Sequence, residues 1–285
     1  MTPDSLSFRL LEFYGTRLRH RGQWKVHALL RKWLGASIDV DLEVVRDGHR
    51  WRLNPSDYVQ EDFFWLGTRD MWDLNHAGKF VRNGSVLFDV GANFGYYSVM
   101  LADALKRNCK VHAFEPFPPN FERLSTNVQL NGLQDVIRTH QVALSDNGGV
   151  GRMTTRLDNL GSASLNSSLE RAHQVPLTTL DSFCRENDIS TIDFMKIDVE
   201  GHEEHVLDGG MQTLRRLTPA LLIELDPPRL ERAGTSVTRI VDRLRQLNYQ
   251  LYVARRETLQ PLAVLPTGDD LVNAFCLQER HLAFA

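Results

Sequence analysis

The amino-acid sequence predicts an α/β fold in which a mostly parallel sheet of seven strands carries helices on both faces. From residue 86 onward, short apolar runs alternate with segments of helical periodicity, an order typical of parallel sheets. The chain has 285 residues and a hydrophobic content of 42%, which is sufficient for one sizeable core. The predicted strands cover residues 86–90, 111–115, 137–142, 192–198, 219–225, 249–255 and 271–277.

The first 80 residues do not follow this alternation, and we expect them to form an appendage that precedes a main domain over residues 81–285. Residues 1–35 are rich in arginine and show amphipathic helical periodicity. Alternating apolar residues from Ile38 to Leu53, interrupted by Asp47 and Gly48, predict an antiparallel β-hairpin. The appendage is therefore predicted to combine helices with a hairpin.

The apolar residues of the N-terminal helical segment can form one stripe with basic residues around it. Gly15 and Gly22 weaken any single long helix. The ordinary interpretation is a face packed on the main domain or on a second copy of the chain in a homo-oligomer. The functional alternative is contact with an acidic substrate or peripheral contact with an anionic membrane. The stripe consists of Phe8, Leu11, Leu18, Val26, Leu29, Leu30 and Trp33.

The overall composition excludes several classes of protein. The net charge of -3 gives no whole-chain basic field, so we expect no nucleic-acid partner. Cys109, Cys184 and Cys276 are far apart and lack zinc-site spacing, which favours reduced thiols in the cytoplasm. No apolar run approaches the length of a transmembrane segment, and the N-terminus lacks the apolar core of a signal peptide. These observations predict a cytoplasmic protein without a transmembrane segment.

A strand, a glycine turn and a helix follow one another between residues 86 and 105, and this order is typical of a nucleoside-cofactor site. The turn glycines, Gly91 and Gly95, do not have the G-x-G-x-x-G spacing of dinucleotide-binding proteins. Asp89 ends the strand, where its carboxylate would repel a pyrophosphate. The turn therefore favours a cationic cofactor without phosphates, of which S-adenosylmethionine is the common one.

The second predicted strand supplies an acid at the corresponding place. Glu115 ends that strand, at the position where an acid accepts hydrogen bonds from both hydroxyls of a ribose. A lone glycine turn is more often only a turn, but the turn and the acid in this order together predict a cofactor site.

These residues belong to five motifs, and on these motifs the chain resembles the FkbM family of S-adenosylmethionine-dependent methyltransferases. The resemblance covers about residues 86–225. It implies a Rossmann-like class I methyltransferase domain and an O-methyltransferase that acts on a hydroxyl, often of a sugar in a glycan or a natural product. It does not imply which small-molecule or glycan acceptor is used. The motifs are Phe88–Ser98, Ala113–Pro116, Val142–Asp146, Pro176–Asp181 and Met195–Glu203.

The expected cofactor contacts follow the three parts of S-adenosylmethionine. Asp89 is expected at the cationic groups or their bound water, and Glu115 at the ribose. The turn is expected around the methionine end, and two further segments are expected at one face and at the edge of the adenine. These residues are, respectively, Gly91, Ala92, Asn93 and Gly95 for the methionine end, Pro116 and Phe117 for the face, and Ala143, Leu144 and Ser145 for the edge.

Methyl transfer to a hydroxyl needs a base beside the acceptor oxygen. Asp198 is the expected base, because the fourth strand should lie beside the first and end at the same crevice. Lys196, Asp198 and Glu200 alternate, so their side chains should point to one side, with the lysine between two carboxylates. His202 is the alternative base, since its ordinary pKa of about 6.5 is near neutrality.

The acceptor is expected to contact a polar insertion over residues 145–174, through Ser162 and Ser164, and also Glu200 and Glu224. No metal is expected, although Asp198, Glu224 and Asp226 leave a divalent metal as a minority interpretation. The segment from Asp226 to Arg229 is interpreted as the start of a loop.

Three other functions stay open at this point. An enzyme of the same fold could methylate nitrogen or a carboxylate. A non-catalytic cofactor-binding scaffold is disfavoured by the intact Asp198 and the complete glycine turn. An NAD-dependent dehydrogenase is disfavoured by Asp89 and by the glycine spacing.

Overall fold

The computed structural model of the chain describes residues 5–18, 20, 22–33, 39–67, 71–156, 159–164 and 171–283. The chain divides into two compact units, one of residues 1–70 with 158–162 and one of residues 71–157 with 163–285. The sequence suggested a division near residue 80. In the structure the helix Met71–Ala77 already belongs to the second unit.

The first unit contains the predicted helices and hairpin. Asp47 and Gly48 both have positive φ values, 48° and 79°, so they form the tight two-residue turn that suits the twist of a hairpin. Trp51, Phe63 and Trp65 are fully buried and form the core of this unit. Its elements are α1 (Leu6–Arg17), α2 (Gln23–Trp33), β1 (Leu42–Arg46), β2 (His49–Leu53) and α3 (Glu61–Leu66).

Only part of the predicted N-terminal stripe is buried. Phe8 and Leu11 pack into the core of the first unit, whereas most of the stripe is exposed. Gly15 lies inside α1 and does not interrupt it. A larger residue would not fit there, because a Cβ would lie 2.0 Å from the Trp65 carbonyl oxygen. Gly22, with a φ of 77°, precedes α2. The exposed members of the stripe are Leu18, Val26, Leu29 and Trp33.

The second unit alternates strands and helices as predicted. Two short 3₁₀ segments, Gly78–Phe80 and Glu279–His281, lie near its ends. Its elements are α4 (Met71–Ala77), β3 (Ser85–Val90), α5 (Tyr96–Ala104), β4 (Cys109–Phe114), α6 (Pro118–Leu130), β5 (Ile137–His140), β6 (Ala143–Leu144), β7 (Gly149–Arg156), β9 (Arg171–Thr178), α7 (Leu180–Glu186), β10 (Phe194–Ile197), α8 (Glu203–Asp208), α9 (Met211–Leu217), β11 (Ala220–Leu225), α10 (Pro227–Arg232), α11 (Val237–Gln246), β12 (Gln250–Arg255), β13 (Thr258–Pro261) and β14 (Val272–Leu277). Strand β8 (Asn159–Ser164) includes residues of both units.

The main sheet has the strand order β13-β12-β14-β11-β10-β3-β4-β5. The five strands from β11 to β5 are parallel, and β14 runs antiparallel to both of its neighbours. All seven predicted strands are present, and β13 adds an eighth at the edge. Strand β10 lies beside β3 with Lys196 opposite Asp89, so the carboxyl ends of these strands meet. This topology confirms the Rossmann-like class.

The polar insertion contains β7, β8 and the first half of β9. Strand β9 pairs antiparallel with β7 and parallel with the short β6. Phe117, Met153 and Val175 form a small buried cluster beneath these strands. The insertion thus packs on Phe117, which lies three residues after the end of β4.

Cys109, Cys184 and Cys276 are free and buried. In the part of the chain that the structure describes, no helix is both long and apolar enough to span a bilayer.

Candidate active site

The glycine turn at the end of β3 is fixed by its contacts with neighbouring strands. The backbone N–H groups of Gly91 and Ala92 both donate to the Phe114 carbonyl, at 3.0 and 2.9 Å. Gly91 has a φ of 81°, and a Cβ there would lie 1.8 Å from the Asp198 carbonyl oxygen. The absence of a side chain at Gly91 leaves space beside the turn. In the structure the backbone that follows β10 fills this space.

Gly95 begins α5 with a φ of 91°, and a Cβ there would approach the Leu124 side chain to 2.7 Å. Both turn glycines therefore have positive φ values that glycine adopts without strain.

Asp89 is buried at the carboxyl end of β3. Its Oδ2 accepts hydrogen bonds from the backbone N–H and the hydroxyl of Ser98, at 3.1 and 2.6 Å. Its Oδ1 is buried and has no hydrogen-bond partner among the described residues. Burial raises the pKa of Asp89, and the Lys196 ammonium opposes this effect. An unpaired acceptor of this kind suits a donor or a cation brought by a ligand.

Glu115 connects the end of β4 to the glycine turn. Its Oε2 accepts from the Asn93 N–H, and its Oε1 accepts from the Phe117 N–H, both at 2.9 Å. Asn93 has a φ of 51°, a conformation that asparagine adopts more readily than most residues. Burial raises the pKa of Glu115 to about 7, although both N–H groups favour the carboxylate. Each carboxylate oxygen can still accept another hydrogen bond.

Lys196 and Asp198 form the predicted ion pair, with 2.7 Å between Nζ and Oδ2. The Lys196 ammonium also lies 5.0 Å from the centre of the Tyr97 ring. Burial opposes the charged ammonium, but the Asp198 and Asp89 carboxylates outweigh it and raise the pKa of Lys196. The lysine therefore remains charged and stabilises the ionised form of Asp198.

The expected alternation of Lys196, Asp198 and Glu200 does not extend to Glu200. Strand β10 ends at Ile197, and Glu200 has a φ of 58°, so the alternation of an extended strand does not reach it. The Glu200 carboxylate instead pairs with the guanidinium of Arg229, at 2.8 Å.

Arg229 is surrounded by three carboxylates. Its guanidinium lies 2.8 Å from Glu200, 2.8 Å from Glu224 and 3.2 Å from Asp226. Burial raises the pKa of Glu200 to about 8 and that of Glu224 well above its usual range, and Arg229 opposes both shifts. The cation between these carboxylates is thus a protein side chain. Among the described residues, no group of three or more His, Cys, Asp or Glu could hold a metal ion.

The interpretation of residues 226–229 as a loop start was also wrong. Asp226 caps α10, since its side chain accepts from the Arg229 N–H at 3.1 Å, and the helix begins at Pro227. Proline in the first turn of a helix loses no hydrogen bond. This cap places Arg229 in the first turn of the helix, where it pairs with Glu200 and Glu224.

His202 contacts Ser145 and His205. Its Nε2 is 2.9 Å from the Ser145 hydroxyl, and its ring stacks on that of His205 at 4.0 Å. Burial lowers the pKa of His202 to about 4. A neutral ring of such low basicity is poorly suited to take a proton at neutral pH.

Sequence reasoning missed Glu203 as a part of the site. Its Oε1 accepts from the N–H groups of Val199 and Gly201, at 3.0 and 3.2 Å, and so fixes the turn that follows Asp198. Burial raises the pKa of Glu203 to about 7. The signal was present, because Glu203 closes the fifth motif. Ser98 and Arg229 were missed as well, and both bond to predicted acids.

The residues expected around adenine are all buried. Ala143 and Leu144 form β6, and Leu144 packs in the main core. The Phe117 ring is buried against His173, at 5.1 Å between ring centres, and Pro116 beside it is buried too. The side chains of Ser162 and Ser164 lie outside the described part of the structure. The contacts of all these residues with cofactor or acceptor stay predictions.

A model of the FkbM methyltransferase domain matches residues 89–251, which is more than half of the chain. The chain belongs to the FkbM methyltransferase family. The family match therefore confirms the resemblance that five motifs indicated, and it confirms the assignment as a methyltransferase.

Two curated relatives cover the chain to different extents. The chain is 32% identical to 31-O-demethyl-FK506 methyltransferase FkbM of Streptomyces tacrolimicus, over 48% of this chain and 63% of that protein. It is 25% identical to the AMB antimetabolite synthetase AmbE of Pseudomonas aeruginosa, over 85% of this chain and 12% of that protein. The chain thus spans less than two thirds of the length of either relative.

The solved structures that are similar to the chain include an FkbM methyltransferase and TYW2. The FkbM methyltransferase from Methylobacillus flagellatus KT has a TM-score of 0.45 at 18% identity, covering 68% of this chain and 44% of that one. TYW2 of M. jannaschii in complex with AdoMet has a TM-score of 0.45 at 12% identity, covering 84% and 86%.

Proposed function

We propose that the chain transfers the methyl group of S-adenosylmethionine to a hydroxyl of a small molecule or a glycan, with a sugar of a glycan or a natural product as the acceptor class. The observation that carries this proposal is the Lys196–Asp198 pair beside the unpaired Oδ1 of Asp89. We also propose a cytoplasmic location, which the three buried free thiols support.

The residues at the strand ends fit S-adenosylmethionine. The cofactor carries an ammonium and a sulfonium, and when bound it supplies a methyl group that an oxygen nucleophile can take. The buried Oδ1 of Asp89 has no donor in the part of the chain that the structure describes, which suits one of these cationic groups. Glu115 retains one acceptor position on each oxygen for the ribose hydroxyls. Gly91 and Asn93 shape the turn between them.

Asp198 takes the acceptor proton in this proposal. Its carboxylate is paired with Lys196 and its side chain is 25% exposed, so a substrate hydroxyl can reach it. Lys196 holds the carboxylate in place and keeps it ionised until the proton arrives. His202 has a pKa of about 4 and bonds to Ser145, so it positions the start of α8 instead.

The charge around the site favours a neutral acceptor over a carboxylate. Four acids gather at the strand ends, and burial raises the pKa of three of them. The four are Asp89, Asp198, Glu200 and Glu224, and the three with raised pKa values are Asp89, Glu200 and Glu224. Added negative charge is therefore unfavourable at the strand ends, which disfavours a charged carboxylate as the acceptor. The relative named 31-O-demethyl-FK506 methyltransferase supports an oxygen acceptor in the same family.

Labelled-methyl transfer with matched acceptors tests the proposal. The full chain is incubated with methyl-labelled S-adenosylmethionine and three sets of acceptors: sugars and polyols, amino sugars, and sugar acids. We expect label on oxygen in the first set. Label found only on nitrogen or on carboxylate would contradict the hydroxyl acceptor. Calorimetry that shows binding of NAD but not of S-adenosylmethionine would contradict the cofactor.

A further inference from the structure

The exposed apolar side chains of the described residues are concentrated on the first two helices. Half of the large apolar side chains that are exposed lie between residues 6 and 33. Large contiguous apolar patches are rare on monomeric soluble proteins and mark interaction sites, so a concentration of exposed apolar residues in one short segment is a candidate for such a site. The eight residues are Leu6, Leu10, Phe13, Leu18, Trp24, Val26, Leu29 and Trp33.

Helix α1 has two apolar faces on opposite sides. Phe8 and Leu11 are buried in the first unit, whereas Leu6, Leu10 and Phe13 are exposed, Leu6 to 74%. Residues separated by four and three positions lie on one side of a helix, so these three exposed residues form one face. The outward face is therefore additional to the one that packs into the unit.

Helix α2 repeats this arrangement with basic neighbours. Val26, Leu29 and Trp33 share one side of the helix, and Trp33 is 80% exposed. Lys25 and Lys32 are both exposed and lie beside this face. An exposed tryptophan between apolar and basic residues is typical of helices that lie in the interface of a bilayer.

The charge of this segment identifies the partner. Residues 1–33 contain seven Lys or Arg and two Asp or Glu, although the whole chain carries a net charge of -3. Two copies meeting through the same face would bring like charges together, which opposes a homodimer here. Anionic headgroups would neutralise the cations while the acyl region takes the apolar residues. We propose that α1 and α2 bind the surface of an anionic lipid membrane, which would bring the enzyme to acceptors held there.

Vesicle binding tests this proposal on the full chain, independently of methyl transfer. Co-sedimentation is measured with vesicles of phosphatidylcholine alone and of phosphatidylcholine mixed with phosphatidylglycerol. We expect binding to the mixed vesicles that weakens with added salt. Equal binding to both vesicle types, or no binding to either, would overturn the proposal.

Two matched pairs of variants locate the surface. Phe13→Ser and Trp33→Ser should each weaken binding about tenfold, whereas Val264→Ser, at an equally exposed apolar residue of the second unit, should not. Lys25→Gln should weaken it about fivefold, whereas Arg245→Gln, at a 65% exposed cation on α11, should not. Equal losses within either pair would overturn the assignment. So would a homodimer that Phe13→Ser abolishes in the absence of lipid.

Discussion

Gly91→Ala is the most direct perturbation of the architecture that holds the site together. The new Cβ would lie 1.8 Å from the Asp198 carbonyl oxygen, whereas ordinary contacts begin at 3.4 Å. The end of β3 and the residue that follows β10 would have to separate by about 1.6 Å. Because Asp198 is the proposed base, this separation moves the group on which turnover depends.

The cost can be worked out from two contributions. Alanine in the left-handed region costs about 1–2 kcal/mol. Overpacking at a close contact costs about 1–3 kcal/mol more. We therefore expect Gly91→Ala to lower the free energy of unfolding by about 2–5 kcal/mol. If Asp198 is misplaced by about 1 Å, turnover should fall about 10²-fold.

Two other glycines provide matched controls. Gly234 has a φ of 78°, close to the 81° of Gly91, but a Cβ there meets nothing within 4 Å. Gly234→Ala should therefore cost only about 1–2 kcal/mol. Gly95→Ala should lie between the two, because its Cβ meets the end of the flexible Leu124 side chain at 2.7 Å.

Urea unfolding followed by circular dichroism measures all three variants against the wild type, and calorimetry with S-adenosylmethionine follows on the folded ones. The reasoning would be refuted if Gly91→Ala were no less stable than Gly234→Ala, since the close approach to Asp198 would then carry no cost.

Four further outcomes are expected. Asp198→Asn should lower turnover about 10²- to 10⁴-fold with cofactor affinity retained, while His202→Gln stays within tenfold of the wild type; the reverse result would make His202 the base. Glu203→Ala should destabilise the fold by about 1–3 kcal/mol in urea unfolding, because two N–H groups lose their acceptor, and Glu203→Gln should cost less; equal costs would contradict this role. Burial lowers the pKa of His202 from 6.5 to about 4, so between these pH values the unfolded chain binds a proton that the folded chain does not, and the folded state loses stability as the pH falls. His202→Gln should therefore flatten the dependence of the free energy of unfolding on pH in this range. An unchanged slope would contradict the burial of a neutral His202. Turnover should be unaffected by EDTA, and inhibition that magnesium reverses would indicate a metal.

The strand-end residues could be predicted because their placement depends on local pattern and sheet order. Asp89, Glu115 and Asp198 each end or follow an apolar strand, and parallel strands bring their carboxyl ends to one edge. The Lys196–Asp198 pair followed from the alternation of an extended strand, which is valid as far as Ile197. These predictions needed no knowledge of distant contacts.

The errors arose where the backbone turns or where partners are far apart in sequence. Glu200 was misplaced because its positive φ reverses the chain, and that turn depends on the acceptor that Glu203 supplies. The contact of His202 with Ser145 joins residues 57 positions apart, and no periodicity in the sequence indicates it. Arg229 was missed because it comes from a helix whose start looked like a loop.

The buried cluster of Phe117, Met153 and Val175 has a consequence for the proposal that the insertion contacts the acceptor. The backbone N–H of Phe117 donates to Glu115, while its ring is packed by side chains of the insertion. An exchange of the insertion for one that suits a different acceptor would therefore repack the ring next to the proposed ribose carboxylate. Chimaeras that retain Met153 and Val175 should keep their affinity for the methyl donor, and those that replace them should need compensating changes at Phe117.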